Sequence, residues 1–204
     1  MQALNDFIIQ PLGDRYKNSI NVGDKKLIVN SEVFNHEYVN REATVVAIPR
    51  NYKGRVKQGD IVIVHHNVFR RWHDVKGKER NSKSYFEDDK YFVKEDQIFA
   101  YRRLQNWSRY KESKWKAMDG YCFVQPIKNR DKFTEDKEEQ CIGIVKYTDG
   151  SINVGDLVGF TPWSEYEFII DDERLYRVMS KEITIKYEYQ GDEEEYNPSW
   201  TQSS

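Results

Sequence analysis

The side chains able to do chemistry are few. Four histidines occur, His36, His65, His66 and His73, with two cysteines, Cys122 and Cys141. Adjacent residues on a strand point to opposite faces. His65 and His66 therefore share no metal ion unless a bulge intervenes, and exposed or capping imidazoles are expected rather than a metal site. The cysteines lack a Cys-x-x-Cys spacing and read as plain core thiols. Two cysteines build no disulfide framework, which fits a reducing, cytoplasmic setting. Gly-x-Ser-x-Gly, His-Glu-x-x-His, Walker and Gly-x-Gly-x-x-Gly patterns are all absent, so neither an enzyme nor a cofactor is expected. A last constellation is basic and aromatic: Arg70, Arg71 and Trp72, then Trp107, Tyr110 and Trp115. Such side chains either stack on nucleic acid or anchor a protein–protein interface.

Charge decides between these two. The 204 residues carry 32 Lys/Arg and 34 Asp/Glu, a net charge of −2. Residues 50–116 hold 18 basic and 9 acidic side chains, whereas residues 117–204 hold 9 basic and 19 acidic. The acidic half repels a phosphate backbone, so the basic segment reads as a protein interface and nucleic acid is not the expected partner. A basic half joined to an acidic half can meet its copy head to tail, and such contacts close into rings; the plainer alternative is a solvated acidic end. No stretch approaches the ~20 apolar residues of a membrane helix. The first residues show neither a basic nor an apolar leader region, so no signal peptide is expected.

The elements that must position these groups are strands. Aromatics make up 14% of the chain, which argues against disorder. Short apolar or alternating runs recur at 7–9, 43–48, 61–64, 91–93, 98–101, 121–124, 142–147, 157–160, 166–170, 175–179 and 183–189. Gly, Asp, Asn and Pro separate them, and no long helical stripe appears. The pattern predicts an all-β protein.

The runs also repeat. Gln10-Pro11-Leu12 returns as Gln125-Pro126-Ile127, an offset of 115. Residues 42–48 match 140–146 at an offset of 98, residues 56–64 match 152–160 at 96, and residues 91–98 match 176–183 at 85. Four blocks in one order predict two β-barrels, residues 1–104 and 118–189. A linker spans 105–117, and an acidic tail, 190–204, has no expected structure. The falling offsets place extra loops in the first copy, chiefly within 16–41 and in the charged insertion 70–87.

These blocks, in this order, resemble the GroES co-chaperonin family. Residues 7–15 match its opening strand followed by a Pro-Leu-x-Asp-Arg step. Val56-Lys57-Gln58-Gly59-Asp60-Ile61-Val62 matches its Val-x-x-Gly-Asp-x-Val turn, and residues 91–101 match its closing strands. The second copy is looser, with Lys128-Asn129-Arg130 where Asp-Arg stands in the family. Doubled members and divergent ones from bacterial viruses are similar, which implies a tandem, bacteriophage-encoded member. The resemblance implies a homo-oligomeric ring that caps a GroEL-type chaperonin and assists folding. An apolar tripeptide in a loop would dock it, and Leu27, Ile28 and Val29 stand where that tripeptide would be. The residues around them are bulkier than the family's glycines, so an ordinary β-strand is the competing reading. The hairpin that roofs some family members is shortened here to residues 49–55. A second expectation uses the same fold as a structural part of a phage virion or another assembly, without chaperonin contact.

Overall fold

The computed structural model describes residues 2–16, 19–22, 25–28, 39–103, 114–130, 137–188, 191, 193–199 and 201. Every regular element longer than a single 3-10 turn among them is a strand, so the protein is all-β. It divides into two compact units, residues 1–115 and 116–204.

The first unit contains β1 (Phe7–Pro11), β2 (Ser19–Val22), β3 (Lys25–Ile28), β4 (Glu42–Ala47), β5 (Ile61–Val64), β6 (Arg71–His73), β7 (Glu79–Asn81), β8 (Tyr91–Val93) and β9 (Ile98–Arg102). The second contains β10 (Lys116–Ala117), β11 (Tyr121–Lys128), β12 (Glu138–Thr148), β13 (Leu157–Phe160), β14 (Tyr166–Ile170), β15 (Glu173–Met179) and β16 (Ile183–Tyr187). In the first sheet five strands lie in the order β9-β5-β4-β1-β8, and in the second six lie in the order β16-β13-β12-β11-β15-β14. Replacing β1, β4, β5, β8 and β9 by β11, β12, β13, β15 and β16 turns one order into the other. The hydrogen bonding of neither sheet closes on itself.

The agreement extends to register. Phe7, Ile8 and Ile9 face Val93, Phe92 and Tyr91, just as Cys122, Phe123 and Val124 face Val178, Arg177 and Tyr176. Register shifts fall at Ile8/Ile9 and at Phe123/Val124. A further pair falls at Ile63/Val64 and at Gly159/Phe160. A bulge bends a strand at a fixed place, so matching bulges are a strong mark of common architecture. One block is corrected. Glu42 faces Ile63 as Ile142 faces Gly159, so the offset of this strand is 100 and not 98. The error of two residues preserves which side chains face inward, which is why pattern matching did not expose it.

Alternation places an equivalent apolar set inside each unit. In the second unit Val124, Val145, Val158, Phe160 and Val178 form a buried cluster. Their counterparts Ile9, Val45, Val62, Val64 and Val93 are all at most 1% exposed. Each such side chain contributes about 1.5–3 kcal/mol by leaving water.

The Gly-Asp steps before β5 and β13 are one device used twice. Gly59 and Gly155 have φ of +86° and +91°, which glycine adopts without strain. Their amides donate to the carbonyls of Val45 and Val145, both at 2.8 Å. Asp60 Oδ2 accepts the Lys57 amide at 2.8 Å, and Asp156 Oδ2 accepts the Asn153 amide at 3.2 Å. Arg103 then grips Asp60 with Nε and Nη2, both at 3.0 Å, where Lys186 Nζ meets Asp156 at 2.8 Å.

The acidic C-terminal segment differs from its expectation. The amide of Lys128 donates to Glu194 O and that of Tyr196 to Pro126 O, both at 2.8 Å. Glu193, Glu194 and Glu195 pair with Arg130, Lys128 and Lys146, and Thr201 is fully buried. Three cations on β11, β12 and the turn after β11 offset the acidic run, so composition alone misjudged it.

Candidate interaction site: the neck of the first-unit loop

The end of β1 and the start of β4 form a neck that closes loop 16–41. Tyr16 and Val39 are bridged antiparallel, and both are buried. The Asn40 amide donates to Arg15 O at 2.9 Å. Asn40 itself is 3% exposed. Its Nδ2 donates to Leu12 O at 2.9 Å and to Asp14 O at 3.0 Å, and its Oδ1 accepts the Glu42 amide at 2.9 Å. One carboxamide thus satisfies three backbone groups that no ladder reaches. The second unit has Gln140 at the equivalent place, and it is exposed.

Beyond the neck the chain forms a hairpin, β2 with β3, in register from Ser19 opposite Ile28 to Val22 opposite Lys25. Leu27 and Ile28 lie on β3, and Val29 lies outside the described residues. The tripeptide expected in an open loop is therefore carried, in its first two residues, by a paired strand.

The insertion 70–87 reaches this neck. β6 and β7 pair from Arg71–Asn81 to His73–Glu79. Asp74 closes their turn, accepting the amides of Lys76 and Lys78 and Arg80 Nε, each at 3.0 Å. The Lys78 amide is the main reason its carboxyl lies below the usual range. The structured excess runs on to residue 90. Tyr85 is bridged to Tyr91, and the Phe92 amide donates to Ser84 O at 2.7 Å. This stretch lines β8 as β14 lines β15. Arg15 stitches neck to insertion, with Nη1 donating to Asn81 Oδ1 at 2.8 Å and Nη2 to Phe69 O at 3.0 Å. The Arg71 amide donates to Tyr16 Oη at 2.8 Å, and its guanidinium lies 4.8 Å from the Tyr16 ring centre. Beneath them Tyr91 is wholly buried, its ring 4.8 Å from that of Phe69, and burial raises its hydroxyl pKa. The two segments peculiar to the first copy thus meet at one place.

The basic–aromatic set splits. Trp72 is 47% exposed, and its Nε1 donates to Asn81 O at 3.2 Å. Arg71 pairs with Glu79 at 3.0 Å, and Arg70 is half-buried. Trp107 lies outside the described residues. Trp115 is corrected: it is 4% exposed and covers the buried Arg102, whose guanidinium is 4.3 Å from its ring centre. An indole already packed within its own unit offers no surface anchor.

The remaining groups are structural. His65 and His66 follow β5, so the alternating-face argument does not apply to them. Their rings stack at 4.3 Å, and His65 Nδ1 caps a 3-10 turn (His66–Val68) by accepting the Asn67 amide at 3.1 Å. His73 ends β6, and His36 lies outside the described residues. Among the described residues no three His, Cys, Asp or Glu side chains converge as ligands. Cys122 is buried, and Cys141 is half-buried, with its thiol pKa raised chiefly by burial. Among the described residues no helix is long and apolar enough to cross a membrane. Comparison with protein-family models and with curated proteins finds no match to the chain.

Proposed function

We propose that the chain is a tandem co-chaperonin of the GroES type, encoded by a bacteriophage and working in the host cytoplasm. Each unit is a barrel of that type, and copies form a homo-oligomeric ring that caps a GroEL-type chaperonin. Leu27, Ile28 and Val29 make the contact, with neither catalysis nor a cofactor. The observation that carries the reading is a strand order used twice, together with a necked, hairpin-bearing loop built in one copy only. Three aliphatic side chains contribute roughly 1.5–3 kcal/mol each when buried, while ordering a loop costs several kcal/mol. A hairpin already paired lowers that cost, and a ring of such hairpins binds through effective concentration. The test is co-sedimentation with a GroEL-type chaperonin and ATP. The natural chain is expected to co-sediment, and Leu27→Asp/Ile28→Asp is expected to stay in the supernatant. Equal recovery of both removes the docking role.

A second reading draws on the C-terminal segment, held to β11, β12 and the turn after β11 by three ion pairs. A terminus so fixed suits a part of a phage virion or another permanent assembly. Mass spectrometry of purified particles decides this, and absence of the chain from them ends it.

A further inference from the structure

The connection from β13 to β14 holds an indole in solvent at a cost to the backbone. Thr161, Pro162, Trp163 and Ser164 form a turn in which the Ser164 amide donates to Thr161 O at 3.2 Å. The Ser164 hydroxyl donates to the same oxygen at 2.6 Å. Trp163 is 95% exposed and has a φ of +67°. After a proline, this turn position suits glycine or asparagine, and a bulky residue there is strained. The first unit builds the equivalent turn without an indole. The His65 amide donates to Gln97 O at 3.0 Å as the Thr161 amide donates to Glu182 O at 2.9 Å. Asn67 occupies the position of Trp163, in a 3-10 turn. The architecture therefore does not require Trp163, and an indole in solvent supplies no packing that offsets the strain. Strain retained without a packing reason marks a recognition point.

We propose that Trp163 anchors a head-to-tail contact with a second copy of this chain, seated on the basic β6–β7 hairpin of the neighbour. Charge complementarity selects that occupant. Residues 117–204 carry 19 acidic and 9 basic side chains, whereas residues 50–116 carry 9 and 18. Glu165 follows Trp163 closely in the chain. The hairpin exposes Val75, Lys76, Lys78 and Arg80 next to Trp72. An indole face takes an ammonium or guanidinium group, and the net negative charge of the segment that carries it steers the remaining cations. The two patches differ and lie on different units, so the contact is heterologous. Each copy keeps one free anchor and one free hairpin until a ring closes. The inference rests on the ring part of the proposed function and is independent of chaperonin docking.

The test is sedimentation of the purified full chain alone, over a range of concentration and salt. The natural chain is expected to assemble beyond a dimer, less so at high salt. Trp163→Asn is expected to weaken assembly at least about tenfold while raising the melting temperature, because asparagine tolerates this φ. A chain with Lys76→Glu and Lys78→Glu is expected to lose assembly to a similar extent while keeping the natural melting temperature within a few degrees. An equimolar mixture of the two variants is expected to form a one-to-one pair and stop, since each supplies the half that the other lacks. Unchanged assembly of Trp163→Asn overturns the anchor and leaves the ring standing. Defective variants that do not pair when mixed overturn the assigned partner surface. A natural chain that stays monomeric throughout removes ring and anchor together.

Discussion

The two units share one strand order and two matching bulges, yet they finish their edges differently. The first closes the end of β1 with a buried Asn40 and ties the neighbouring insertion to it through Arg15. The second has no comparable loop there and covers the corresponding end of β11 with its own C-terminal segment. Its principal stitch is Arg174, which binds Glu138 and also Glu167 at 2.7 Å and Tyr176 at 2.6 Å, joining β12, β14 and β15. Desolvation opposes the charge of Arg174, but its carboxylate partners outweigh that and raise its pKa. The comparison teaches that a duplicated core fixes the sheet, while the edges are free to acquire new parts. Function is expected where the copies diverge.

The largest effect should come from breaking the stitch of the second unit. Arg174→Ala leaves two carboxylates without their cation and is expected to cost about 3 kcal/mol in urea unfolding. Arg15→Ala removes two hydrogen bonds at a more open site and should cost only about 1 kcal/mol. Equal losses would contradict the different edge construction. Next comes the shared turn. Asp60 is 2% exposed and held by two guanidinium bonds, so Asp60→Ala is expected to cost about 2–3 kcal/mol. Asp156→Ala, with a single flexible lysine, should cost about 1 kcal/mol.

The neck sharpens the comparison further. Asn40→Ala orphans Leu12 O, Asp14 O and the Glu42 amide, and should cost about 2 kcal/mol locally. Faster amide exchange around Tyr16 and Val39 is the readout. The smallest effect is a pH dependence that Asp149 contributes in the second unit. Burial raises the carboxyl pKa of Asp149, but hydrogen bonds from Ser151, Ser180 and Gly120 outweigh it and hold the group at about 2. A lowered folded-state pKa gives stability that is full above the unfolded value near 4. That stability is lost as pH falls through about 2. Solvent around this half-buried carboxylate reduces the effect to about 1 kcal/mol. Asp149→Asn should abolish the acid-dependent step in urea midpoints between pH 5 and 2, and an unchanged slope would rule out Asp149 as its source.

Much of this was legible from residue order alone. All eleven apolar runs lie in or overlap strands, because a period of two with one side buried is stated directly by β-branched and aromatic residues. The Gly-Asp turns and the duplication were legible for the same local reason. The strands β6 and β7 were not, because Glu79-Arg80-Asn81 is a polar, exposed sequence held by cross-strand pairing rather than by burial of an apolar face. Trp163 escaped attention as well. Its sequence signal was a Pro-Trp step in a turn, and only the backbone angle and exposure give that step meaning.

Residue order by itself determined the all-β character, the twofold repeat and the inward-facing aliphatic set, since each depends on near neighbours and on a pleat that alternates. Tertiary structure alone decided that Trp115 covers Arg102 and is lost as an anchor, that Asn40 seals the neck, and that three cations hold the acidic end to its sheet. Those outcomes join residues tens of positions apart. Their free energy comes from desolvation and from hydrogen-bond geometry, which exist only once the sheets have brought the partners together.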